Sequence, residues 1–209
     1  MKIGLNKVIK TLITSDFLLQ SGWGLIGPIF AIFITEQIKG GSLTTVGFIV
    51  ATYWIVKSII LPFIARYLDI VKGEKDDFKF LFGGLIIANL VPLGYLLVTD
   101  VWHIFLLEFI RGLAMACVVP TWSAIFTRHI DKGWEAFSWS IESTGIGMAA
   151  GFAAAFGGII ATFMGFKIIF VLVSLFGLAA AFTLLSIRKK IFTRSRIPAV
   201  IIPPEKKLQ

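Results

Sequence analysis

Glu108 and Arg111 stand three residues apart in the stretch EFIRGLAMACVVP, a spacing that puts both side chains on one side of a helix. The residues around them are almost all apolar. An ionised group at the centre of a bilayer costs roughly 2.5–3.5 kcal/mol on insertion scales, so each needs a physical reason to be there. Such a pair either neutralises itself or lines a polar cavity, where it can hold a polar solute or titrate during proton coupling. Lys57 raises the same question: it lies ten residues from Tyr67, about 15 Å along a helix at 1.5 Å per residue. Glu142 falls in the first half of another apolar stretch. Asp16 lies near a segment boundary, within reach of water. A Lys57–Glu142 contact between two copies of the chain would satisfy both charges. Against it, Gly147, Gly151 and Gly158 form a small face that favours close helix packing. Glu142, nine residues from Gly151, turns to roughly the opposite side.

Other chemistry is sparse. Trp23, Trp54, Trp122 and Trp139 lie within apolar segments, where their rings either pack or stack on a solute. Trp102 and Trp134 sit at boundaries, as interfacial anchors do. His103 and His129 are far apart at segment ends and make a poor metal site. Cys117 is the only cysteine, so neither an intrachain disulfide nor a cysteine cluster is expected. The sequence has no phosphate loop, hydrolase elbow or paired catalytic carboxylates in a credible context. It predicts no enzyme activity, no cofactor and no metal.

The elements that must position these groups are membrane helices. Apolar residues make up 57% of the chain and charged ones 15%, with a mean hydropathy of +0.89. Soluble domains are about 45–50% apolar. Six segments of span length emerge, near 12–35, 45–67, 78–99, 101–127, 136–164 and 166–187. Strand alternation is absent, which argues against a β-barrel. Residues 1–11 read as a cytoplasmic amino terminus, 12–187 as the transmembrane domain and 188–209 as a basic cytoplasmic tail, with a short interfacial segment around Ile197–Ile202 as one alternative to disorder. Lys and Arg number sixteen on the side that carries both termini and two, Lys39 and Lys167, on the other. The positive-inside rule then predicts a multi-pass protein of the inner (plasma) membrane with both termini cytoplasmic. The net charge of +8 faces anionic lipid on this reading and calls for no nucleic acid. Residues 31–40, AIFITEQIKG, and 124–133, AIFTRHIDKG, share five identities. That shift maps the end of span one onto the end of span four, which run in opposite directions, and predicts two inverted three-helix repeats.

These features resemble one half of a major facilitator superfamily transporter over nearly all of 12–190. Span one carries Gly27-Pro28. ARYLDIVKGEK, at the end of span two, is similar to the family's loop between spans two and three, with Asp69 at the aspartate, Ala65 in place of the usual glycine, and Lys72 and Lys75 supplying charge. Gly112 and Pro120 have the family's span-four spacing, and Gly157-Gly158 and Gly165-Phe166 match the end of span five. Glu108 stands where the family often has arginine, and Ala153-Ala154 where drug antiporters have Gly-Pro. The resemblance implies an all-α fold and secondary-active transport of a small solute by alternating access, with possible proton coupling. Spans one and four would line the cavity with Glu108, Arg111, Trp23 and Trp122. Asp69, Lys72 and Lys75 would act at a cytoplasmic gate. Family members usually have twelve spans. Six spans with both ends on one side therefore imply a homodimer, with a different partner half or a fragment of a longer chain as the other readings. A non-transporting scaffold that binds a partner is the functional alternative.

Overall fold

In lipid every backbone polar group must find its partner within the protein, and a helix does this within one segment. The computed structural model describes residues 5–70 and 73–194. Its long helices are α1 (Lys7–Ile26) with its continuation α2 (Phe30–Gln37), α3 (Leu43–Ile70), α4 (Glu74–Gly94), α5 (Val101–His129), α6 (Glu135–Met164) and α7 (Phe166–Thr183). A tight 3₁₀ turn, Leu184–Ile187, leads into α8 (Arg188–Arg194). Among the described residues six helical units are long and apolar enough to cross a membrane, in agreement with the six predicted segments. The first is broken at Gly27-Pro28, where proline lacks the N–H that would continue the ladder. Past 187 the helix continues, and Ile191 is fully buried. The segment considered at Ile197–Ile202 lies outside the described residues.

Helix pairing has the symmetry of the predicted repeats. The first triplet is α1 with α2, α3 and α4; the second is α5, α6 and α7. The principal pairs are α1 with α6, α3 with α5, α4 with α5, α1 with α7, and α4 with α7. Exchanging the triplets turns α1–α6 into α5–α3 and α1–α7 into α5–α4, and leaves α4–α7 unchanged. α1 and α5 are thus central and equivalent, whereas α3 and α6 are peripheral. In the most apolar window of α3 only 11% of residues are buried, and of α6 only 17%, against 39–50% for the other four spans. Two long helices are left with an uncovered face.

Lipid tails are as apolar as leucine, so packing rather than hydrophobicity must hold the helices together. Glycine is placed accordingly. A Cβ at Gly157 would overlap the backbone carbonyl of Leu25, and one at Gly24 would crowd Ala150 and Ala153, so α1 and α6 meet almost backbone to backbone. By contrast, Gly147, Gly151 and Gly158 of α6 face open space. Ser15 adds a tie between α1 and α7, its Oγ donating to the Ala180 carbonyl at 2.9 Å. At the end that carries the amino terminus, Asn6 caps α1 and also donates to the His129 carbonyl at 2.6 Å. Arg128 pairs there with the buried carboxylate of Asp77, joining α5 to α4.

This packing predicts opposite outcomes at neighbouring glycines. Gly157→Val should destabilise the protein by about 1–3 kcal/mol, the usual range for overpacking, read as a lower unfolding midpoint in detergent. Gly158→Val should leave the midpoint unchanged. Equal effects at the two positions would contradict the assigned α1–α6 seam.

Candidate functional site

The charged groups of α5 are answered by rings and hydroxyls from three other helices. Arg111 Nε donates to both oxygens of Glu108, at 3.1 and 3.0 Å, and Nη2 adds a further bond to Oε2. The Tyr95 hydroxyl, at the end of α4, donates to Glu108 Oε1. Glu108 is thereby buried, its side chain 1% exposed, whereas that of Arg111 keeps 16%. The guanidinium carbon lies 3.7 Å from the Tyr53 ring centroid on α3 and 4.4 Å from that of Trp23 on α1. Gly112 makes this possible. A Cβ there would come within 3.0 Å of the Tyr53 carbonyl, so only glycine lets α3 approach α5 closely enough to bring Tyr53 onto Arg111. Trp23 is held in turn by its Nε1–H, which donates to Asn89 Oδ1 at 3.1 Å. Asn89 fits because residue 177 is glycine, where any Cβ would overlap its amide.

Lys57 belongs to the same cluster. Its ammonium lies 5.0 Å from the Tyr53 centroid and 3.6 Å from that of Trp54, so Tyr53 serves two cations. Among the described residues Lys57 forms no ion pair with a carboxylate. Lys57 is fourteen residues from the start of α3 and Arg111 ten from the start of α5. At 1.5 Å per residue these distances, about 20 and 15 Å, put both cations well inside the bilayer.

The remaining sequence-predicted residues are distributed differently. Trp122 lies eleven residues along α5 from Arg111, about 16 Å away. It stacks on Phe126 at 4.7 Å and meets Trp139 edge-on at 6.1 Å. Glu142 is buried and turned toward α1, where its carboxyl neighbours that of Asp16. It therefore points away from the open Gly147–Gly151–Gly158 face, and within the chain it does not meet Lys57. Asp69 is exposed at the end of α3. Lys75 lies 5.8 Å from the Phe192 ring centroid of α8. Lys72 lies outside the described residues. An apolar groove of about 500 Å³ between α4 and α5, bordered by Gly83, Gly84, Ile110 and Ala114, is separate from the charged cluster. Tyr53, Tyr95 and Asn89 were not among the expected site residues. The signal available was polarity within aliphatic runs, because a buried hydroxyl or amide in a membrane helix needs a partner.

A six-span bundle of inverted three-helix repeats has the architecture of a half-transporter. The Major Facilitator Superfamily model matches residues 12–204. The chain belongs to that superfamily, and its general role is membrane transport. No curated protein matches the chain.

Breaking the buried ion pair should be costly. Glu108→Gln leaves Arg111 without its counter-charge and should lose about 3–5 kcal/mol of stability. The double substitution Glu108→Gln with Arg111→Gln should recover most of that loss in the same unfolding assay. Additive losses would show that the two groups act independently.

Proposed function

We propose that this chain is a six-span half that pairs with a second copy in the inner membrane, both termini cytoplasmic, to carry a small solute by alternating access. The observation that carries the reading is the Glu108–Arg111 pair, braced by Tyr95, Tyr53 and Trp23 at depth and partly open on the Arg111 side. A pair needed only for neutrality gains nothing from an exposed guanidinium edge between two ring faces. Such a site suits a polar solute that exchanges some of its hydration for these groups.

Dimerisation is supported by the two peripheral helices. α3 and α6 each leave a face uncovered, and on α6 that face carries Gly147, Gly151 and Gly158, which permit close approach. The start of α1 and α8 pack together at one end of the bundle, so a two-fold axis normal to the membrane brings two copies together in the same orientation. The cavity would then lie between protomers, beside α1 and α5, with Asp69, Lys72 and Lys75 at its cytoplasmic gate.

Proton coupling is supported by Asp16 and Glu142. Two carboxyls placed beside each other away from water repel when both are ionised, so the pair is suited to sharing one proton. Infrared difference spectra across a pH step should therefore contain a protonated-carboxyl band that disappears in both Asp16→Asn and Glu142→Gln. A band unchanged by either substitution would sink the coupling assignment.

The dimer is tested by native mass spectrometry from lipid nanodiscs across protein-to-lipid ratios. Two chains should be released together, and Gly151→Leu should shift the population to one chain without lowering the unfolding midpoint. One chain at every ratio in the unaltered protein would contradict the homodimer and return the choice to a different partner half or a scaffold.

A further inference from the structure

Resting on the transporter reading above, we infer that the solute is an organic anion, drawn by Lys57 and Arg111 acting together on the open side of the Tyr53 ring. The charge balance of the cluster is the starting point. Two cations, Lys57 and Arg111, share one ring, and one carboxylate, Glu108, stands with them. One positive charge is therefore left over. The signs are also arranged unequally in depth. Glu108 is sealed, with both oxygens taken up by Arg111 and one also by Tyr95, whereas Arg111 and Lys57 keep part of their surface. An approaching solute meets the positive groups and not the negative one.

Lys57 has few other ways to be stable. Its ammonium is about 20 Å along the helix from the start of α3, too far for a lysine side chain to reach the headgroups. The same distance excludes a lipid headgroup as its counter-ion. A cation left bare in hydrocarbon would carry the insertion cost in full, so this position requires water, an anion or both. The rings of Tyr53 and Trp54 hold the ammonium in place through their π-faces without neutralising it. Trp54, 54% exposed, also offers apolar surface beside the charge. That combination fits one oxyanion group (carboxylate, sulfonate or phosphate) on an apolar body. A solute cation would be repelled by two like charges.

The test places a reporter thiol one helical turn from Lys57, as Leu61→Cys with Cys117→Ala. It compares modification by anionic sulfonatoethyl methanethiosulfonate and cationic trimethylammonioethyl methanethiosulfonate in nanodiscs. Rates are normalised to those of free 2-mercaptoethanol. The expected result is a preference of about tenfold or more for the anionic reagent, the scale of enrichment expected near a focused positive charge. Lys57→Gln should abolish the preference and Lys57→Arg should keep it. Reaction with both reagents at the free-thiol ratio, or a preference for the cation, would overturn the anion assignment while leaving a water-lined cavity standing. An anion preference that survives Lys57→Gln would remove Lys57 from the site. Failure of both reagents to react would remove the water-lined cavity, and the transporter reading with it.

Discussion

Charge in hydrocarbon must be balanced by the protein itself, and in this chain the Glu108–Arg111 pair carries most of that burden. Its geometry reaches well beyond α5. Glu108 draws on the Tyr95 hydroxyl and so fixes the end of α4 against α5. Arg111 takes its two ring faces from α1 and α3, which fixes the heights of both. Small residues follow from the same requirement: Gly112 lets Tyr53 approach, and Gly177 leaves room for the asparagine that holds Trp23. Four of the six spans are thus registered to one another through a single polar cluster.

The spans were readable from sequence because charged clusters punctuate apolar runs. Their ends were less so. Hydropathy places the third segment at 78, whereas α4 begins at Glu74, because Glu74, Asp76 and Asp77 occupy its first turn, where acidic side chains favour a helix N-terminus. The Glu108–Arg111 pairing was visible as an i, i+3 spacing, since it is local. Tyr53, Tyr95 and Asn89 became site residues only through tertiary approach, which for Tyr53 and Asn89 depends on glycines on facing helices. The same holds for Glu142. The sequence placed it opposite the small face of α6, but nothing local pointed to Asp16 as its neighbour.

The inverted repeat, faint in the sequence, is plain in the helix pairing. The central pair α1 and α5 carries the broken helix, the ion pair and Trp23, and the outer pair α3 and α6 carries the uncovered faces. Lys57 lies on one of those outer helices, between the buried cluster and the open side. This division of labour links the fold to the proposed mechanism: a registered core holds the site, and α3 and α6, each packed closely on that core along one side, turn their uncovered side toward a second copy.

Alternating access by a two-fold dimer is tested most directly by pulsed electron–electron double resonance in nanodiscs. Spin labels would be placed at the two exposed ends of α3, through Leu43→Cys or Ile70→Cys with Cys117→Ala. The account predicts two inter-protomer distances at each position, with the long population at one end matching the short population at the other. No coupling between labels, or one distance at both ends, would contradict it.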